Sequence, residues 1–219
     1  MTSVADNFCL TDDEAAHLLR HAPWRRLAVI GDSLAAGVGE VVPGYPAGGW
    51  ARGMARVLRR VHPDLAYLNL GQRDLRTAQI RAAQLGPALD FKPDLTAITC
   101  GGNDILRRRF DADSVEANLD AMVGALRARG SDVLTFGLMD ITASGIVTPD
   151  YAPILSERLV ELAELTRRVS ERHGGIYLRM TEHPAAADPA TMSADRLHTN
   201  SRGHAVLTAE IARRLAGHC

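Results

Sequence analysis

Two short stretches near opposite ends of the chain hold the residue types of a base-activated nucleophile. Near the start, Ser33 stands in Ile30-Gly-Asp-Ser-Leu34, directly after an apolar run. A serine at a strand-to-helix turn presents its hydroxyl at the rim of a sheet, where a helix N-terminus favours developing negative charge. Taken alone, a serine in that place is more commonly a helix N-cap. Near the end, Asp195 precedes His198 by three residues. At that spacing a carboxylate can reach back to Nδ1–H of the imidazole, fixing the tautomer that leaves Nε2 free to take a hydroxyl proton. A surface turn with a local Asp–His contact has the same spacing.

Attack by a serine on an acyl carbon creates an alkoxide-like oxygen, so donors must already point at it. The backbone N–H of Ser33, the backbone N–H of Gly71 and the side-chain amide of Asn103 are the candidates. A glycine at 71 allows close backbone approach. The plainer alternatives are a turn glycine and a capping asparagine. Asp32 and Asp104 adjoin these positions, either supporting Ser33 and Asn103 or capping local backbone.

These residues need elements to position them. Apolar runs at 27–30, 65–70, 95–99, 133–136 and 176–178 alternate with helical patterns near 50–61, 75–90, 114–129, 153–173 and 201–216. Such alternation implies parallel βαβ units with helices on both faces, and continuous apolar runs fit strands buried on both sides. Residues 11–21 predict a short leading helix. Ser114 and Ser201 are expected to cap their helices, and Gly130 to end the one before it. In an open parallel sheet, ligands meet the carboxyl ends of strands. Gly31-Asp-Ser33, Gly71 and Gly101-Gly-Asn103-Asp104 all follow such ends, so they should share one rim.

The ordered blocks Gly31-Asp-Ser-Leu34, Asn69-Leu-Gly71, Gly101-Gly-Asn-Asp104 and Asp195-x-x-His198 resemble those of the SGNH (GDSL-like) hydrolases, from about Leu27 to about Leu215. The resemblance implies a flavodoxin-like three-layer α/β/α sandwich with a five-stranded parallel sheet, as one domain over 1–219 with residues 1–26 a helical extension within it. It implies Ser33 as nucleophile, His198 as general base and Asp195 as its orienting acid. The oxyanion donors are then Ser33, Gly71 and Asn103, with no cofactor and no metal. The expected reaction is carboxylic ester hydrolysis through an acyl-enzyme; acyl transfer, thioester hydrolysis and carbohydrate or natural-product deacetylation use the same machinery.

Other readings compete. Gly31-Asp-Ser-Leu-Ala35 nearly matches the elbow of α/β-hydrolases, but there the serine follows several strands and the acid lies far from the histidine. Gly37-Val-Gly39 lacks the remaining letters of a phosphate loop. Asp195, His198, Asn200 and His204 could gather a cation, yet a ligating histidine is not a free base; His204 reads as a structural hydrogen-bonding residue. A ligand-binding module on a hydrolase scaffold is the non-enzymatic alternative.

Substrate choice should lie in loops at the same rim. Residues 39–50, with Tyr45 and Trp50, form one candidate wall, although Trp50 also suits the core. Residues 140–153, with Ile146 and Tyr151, form a second. Arg107-Arg-Arg109 is either a solvated run or an attractor of acidic groups.

The 219-residue chain carries a formal net charge of −1, which offers no general attraction to nucleic acid or to an anionic membrane. A small-molecule ester or acyl compound is the expected partner. Cys9, Cys100 and Cys219 include no CxxC pair, as expected of reduced thiols. The acidic N-terminus lacks the form of a signal peptide, and no apolar stretch reaches the roughly 18 residues of a spanning helix. A cytosolic location is therefore expected.

Overall fold

The computed structural model describes residues 6–219; the first five residues of the expected domain lie outside it. In chain order the elements are α1 (Asp12–Leu18), β1 (Arg26–Gly31), α2 (Ser33–Ala36), α3 (Gly49–Val61), β2 (Ala66–Asn69), α4 (Thr77–Phe91), β3 (Leu95–Thr99) and α5 (Gly102–Ile105). They continue with α6 (Ala112–Arg127), β4 (Asp132–Gly137), α7 (Ala152–Arg172), β5 (Ile176–Arg179) and α8 (Ser201–Ala216). The strands pair in parallel in the order β2-β1-β3-β4-β5.

Alternation along each strand sorts the core into two halves. Leu27, Val29, Leu95, Ala97, Leu134 and Phe136 face a cluster that includes Trp50, Met54, Val206 and Ile211 of α3 and α8, with Ala15 of α1. Ile30, Ile98 and Val133 face Ile80, Leu119, Met122, Leu159 and Leu162 of α4, α6 and α7. The result is a three-layer α/β/α sandwich. The strand order reverses direction between β1 and β3, the switch point where such sheets open a crevice.

Two helix starts differ from the sequence expectation. The cap of α6 is Asp111, whose carboxylate accepts the Ser114 N–H at 3.0 Å; Ser114 lies inside the first turn. The cap of α8 is Asn200, accepting from the Arg202 and Gly203 N–H groups. Ser201 instead accepts the Val42 N–H at 2.8 Å. In both helices the longer-reaching amide or carboxylate one position or one turn earlier takes the orphan donors. Gly130 turns the chain after α6 in the left-handed region, φ 82°. Among the described residues, no helix is long and apolar enough to cross a membrane.

Candidate active site

Ser33 opens α2, but the cap of that turn is Asp32, whose Oδ1 accepts the Leu34 N–H at 3.0 Å. The hydroxyl of Ser33 is therefore free of capping duty. As the first helical residue, Ser33 also carries an N–H with no acceptor inside the helix. Behind it, the buried Trp50 indole donates to the Leu34 carbonyl at 2.9 Å and packs against Phe136, ring centroids 5.0 Å apart. Beneath it, Gln84 of α4 clasps the Gly31 peptide groups: Gly31 N–H donates to Oε1 at 2.7 Å, and Nε2 donates to Gly31 O at 2.9 Å. Sequence reading missed Gln84. The available sign was a polar residue in the buried stripe Thr77, Ile80, Gln84, Ala88.

Asp195 Oδ2 lies 2.7 Å from His198 Nδ1, and Asp195 Oδ1 accepts the Leu197 and His198 N–H groups, each at 3.0 Å. Burial alone would raise this carboxyl; the His198 ring and the two N–H groups outweigh it and hold the pKa at about 2. A carboxylate charged at all ordinary pH values keeps the proton on Nδ1 and leaves Nε2 as an acceptor.

One cavity of about 130 Å³ gathers Ser33, Asn103 and His198, with Asp32 also in its wall. Asn103 Nδ2 donates one hydrogen to Leu75 O at 2.9 Å, which orients the amide and leaves a second hydrogen available. Gly71 does not line this cavity. Its N–H is given to Asn69 Oδ1 at 2.9 Å, and a Cβ there would come within 2.4 Å of the Ala36 nitrogen. Gly71 thus lets the chain press against α2, and its donor is spent locally.

Apart from Thr199 the rest of the wall is apolar, including Ile105 and Leu106 after Asn103, Phe136 of β4 with Leu138, Met139 and Ile141 after it, Leu155 and Leu159 of α7, Met180, Met192 and Leu197, and Leu207 of α8. None of the four proposed substrate contacts lines it. Trp50 is a core residue, 1% exposed. Tyr45 donates its hydroxyl to Asp6 at 2.9 Å, Tyr151 packs against the α6–α7 half of the core, and Ile146 is half-buried outside the cavity. Ile141 is the member of the 140–153 segment that reaches the cavity. The 39–42 stretch serves as a brace: Glu40 N–H donates to Ser193 Oγ and Val42 N–H to Ser201 Oγ, on either side of His198.

Asp32 is 5% exposed, and burial pushes its carboxyl up to about 6 despite the Leu34 N–H, with the nearby Asp104 charge adding to the rise. Asp104 Oδ2 accepts both the N–H and the hydroxyl of Thr77, tying the Asn103 turn to the start of α4. His204 is buried between Val38 O and the Trp50 N–H; burial lowers its pKa, so it is a neutral strut. Asn200 caps α8, and the four residues considered for a cation do not converge. Among the described residues no group of three or more His, Cys, Asp or Glu side chains is arranged to hold a metal ion. The thiols of Cys9, Cys100 and Cys219 are free.

The GDSL-like Lipase/Acylhydrolase family model matches residues 29–206. No curated protein matches the sequence. Similar solved structures include an alpha/beta hydrolase enzyme from the metagenome of Lake Arreo, Spain, at 22% identity and TM-score 0.71, covering 88% of this chain and 95% of that one. An acetylxylan esterase from Geobacillus stearothermophilus gives 20% identity and TM-score 0.68, covering 87% and 94%. The lipase/acylhydrolase from Enterococcus faecalis gives 20% and 0.68, covering 89% and 96%. At these identities the structures speak for the fold, and the family match over most of the chain speaks for the kinship. The chain belongs to the GDSL-like lipase/acylhydrolase family and is an SGNH-type carboxylic ester hydrolase.

Proposed function

We propose that the protein hydrolyses small carboxylic esters with an apolar acyl group, through an acyl-enzyme on Ser33. The carrying observation is the one cavity that gathers Ser33, Asn103 and His198 against a mostly apolar wall. Ser33 Oγ attacks the acyl carbon and gives its proton to His198 Nε2, while Asp195 stabilises the imidazolium. The oxyanion meets the Ser33 N–H and the free hydrogen of Asn103 Nδ2; Gly71 is left out of this set because Asn69 occupies its donor. The carbon–oxygen bond to the alcohol then breaks, and the alcohol leaves with the His198 proton. Water, deprotonated by His198, attacks the acyl carbon, releasing the carboxylic acid and returning the proton to Ser33.

A cavity of about 130 Å³ is of the class that holds on the order of six carbon atoms. Short acyl chains are therefore favoured over long ones. The apolar wall also argues against a retired binding scaffold for polar ligands. The test is hydrolysis of p-nitrophenyl esters from acetate upward, with Ser33→Ala run alongside. Activity on short chains that vanishes in Ser33→Ala is the expected result; activity surviving in the variant overturns the mechanism.

A further inference from the structure

One stretch of the cavity wall runs directly into a cluster of positive charge. Leu106 lines the cavity and is 37% exposed; the next three residues are Arg107, Arg108 and Arg109, all exposed. Their backbone is fixed rather than loose. Arg158 of α7 donates to Ile105 O at 2.7 Å, Arg107 O at 2.8 Å and Arg108 O at 3.2 Å. Its helix neighbours Leu155 and Leu159 both line the cavity, so the arginine turn is anchored at the cavity's edge.

Among the described residues, no acid lies within ion-pair distance of Arg107, Arg108 or Arg109. The acids nearest in sequence are committed: Asp104 to Thr77 and Asp111 to the Ser114 N–H at the start of α6. Three adjacent exposed guanidinium groups with no ion-pair partner among the described residues keep their N–H donors free for an anion.

Resting on the ester reading above, we propose that the natural substrate joins a short apolar acyl group to an anionic alcohol, whose phosphate or carboxylate is drawn to Arg107, Arg108 and Arg109. The apolar acyl part fills the cavity, and the charge stays in solvent beside the arginines. Guanidinium groups suit both anions through paired N–H donors.

The experiment compares three butyryl esters: p-nitrophenyl butyrate (neutral), 4-butyryloxybenzoate (monoanion) and 4-butyryloxyphenyl phosphate (dianion). Each is measured with the wild-type protein and with the triple variant Arg107→Gln, Arg108→Gln, Arg109→Gln. Three exposed charge contacts together are worth about a tenfold change in KM. The expected result is a KM raised about tenfold for the phosphate, less for the carboxylate, and within about twofold for the neutral ester. High salt should reproduce that pattern in the wild type, and Lys at the three positions should restore most of it. A carboxylate effect equal to or larger than the phosphate effect would assign a carboxylate-bearing alcohol within the same proposal. Equal changes for neutral and anionic esters, or no change for either, overturn it. Calorimetric binding of the phosphate ester to Ser33→Ala, with and without the three Gln substitutions, reads the same preference without turnover. If no ester is hydrolysed, the ester reading fails, and this binding difference still decides the arginine proposal.

Discussion

Asp32→Asn keeps the shape beside Ser33 and removes a charge that the fold disfavours. The carboxyl is 5% exposed and its pKa rises from 3.8 to about 6. The unfolded chain releases that proton first, so below about pH 3.8 Asp32 costs the folded state nothing. As pH climbs between the two pKa values, the native state holds the extra proton and stability falls. The full penalty is about 3 kcal/mol, of which about 2 kcal/mol falls between about pH 4 and pH 8. Asparagine still offers an oxygen to the Leu34 N–H and has no such dependence. Urea denaturation of wild type and Asp32→Asn at about pH 4, 6 and 8 measures the difference directly. The variant should gain on the wild type by about 2 kcal/mol from the lowest to the highest pH, whatever fixed offset the buried amide introduces. A stability difference constant across that range, or one that shrinks toward pH 8, would refute the reasoning and return Asp32 to an ordinary ionised cap.

Asn103→Ala should lower kcat on the order of 10²–10³ with little change in KM; a loss of tenfold or less would remove Asn103 from the oxyanion role. Gln84→Leu strips the Gly31 clasp and should cost about 1–3 kcal/mol in urea unfolding, with kcat on short esters falling as the Ser33 turn loosens. Unchanged kcat would mean the turn holds without it. Gly71→Ala forces a Cβ against the backbone of Ala35 and Ala36, so a destabilisation of about 1–3 kcal/mol is expected. Wild-type stability and activity in that variant would contradict the close approach.

The five strands are open to sequence reading because each holds a short apolar run; the central β1, β3 and β4 are buried almost throughout, and the run at 95–99 matches β3 to the residue. The helix starts were harder. An Asp and a Ser one turn apart compete for the same orphan N–H groups, and at α6 the Asp prevails. Turns of four residues, such as α2 and α5, are too short to show a period at all. Of the candidate site, Ser33, Asn103 and the Asp195–His198 pair follow local motifs that can be read from the sequence, and the fold brings Ser33, Asn103 and His198 to one cavity. The cavity wall was not, because Met180, Met192 and Leu207 come from separated segments that only the tertiary fold assembles. Tyr45 and Trp50 misled for a related reason. An aromatic in a turn-rich loop looks like a binding residue until its partner, Asp6 or Leu34 O, is placed.

The two halves of the site differ mechanically. Ser33 and Asn103 stand in α2 and α5, the short turns that directly follow the central strands β1 and β3, whereas His198 rides on a segment with little regular structure, two 3-10 turns and one isolated bridge between Met192 and Thr199. That segment is fastened from outside, by Ser193 and Ser201 to the 39–42 brace and by Arg202 to Asp6 and Asp188. Its fastenings are a few side-chain hydrogen bonds and ion pairs in place of a strand ladder, so they should yield before the sandwich does. In a denaturant ramp the protein should therefore fall silent as a catalyst while its helices and sheet are still intact, and regain activity at once when the denaturant is diluted.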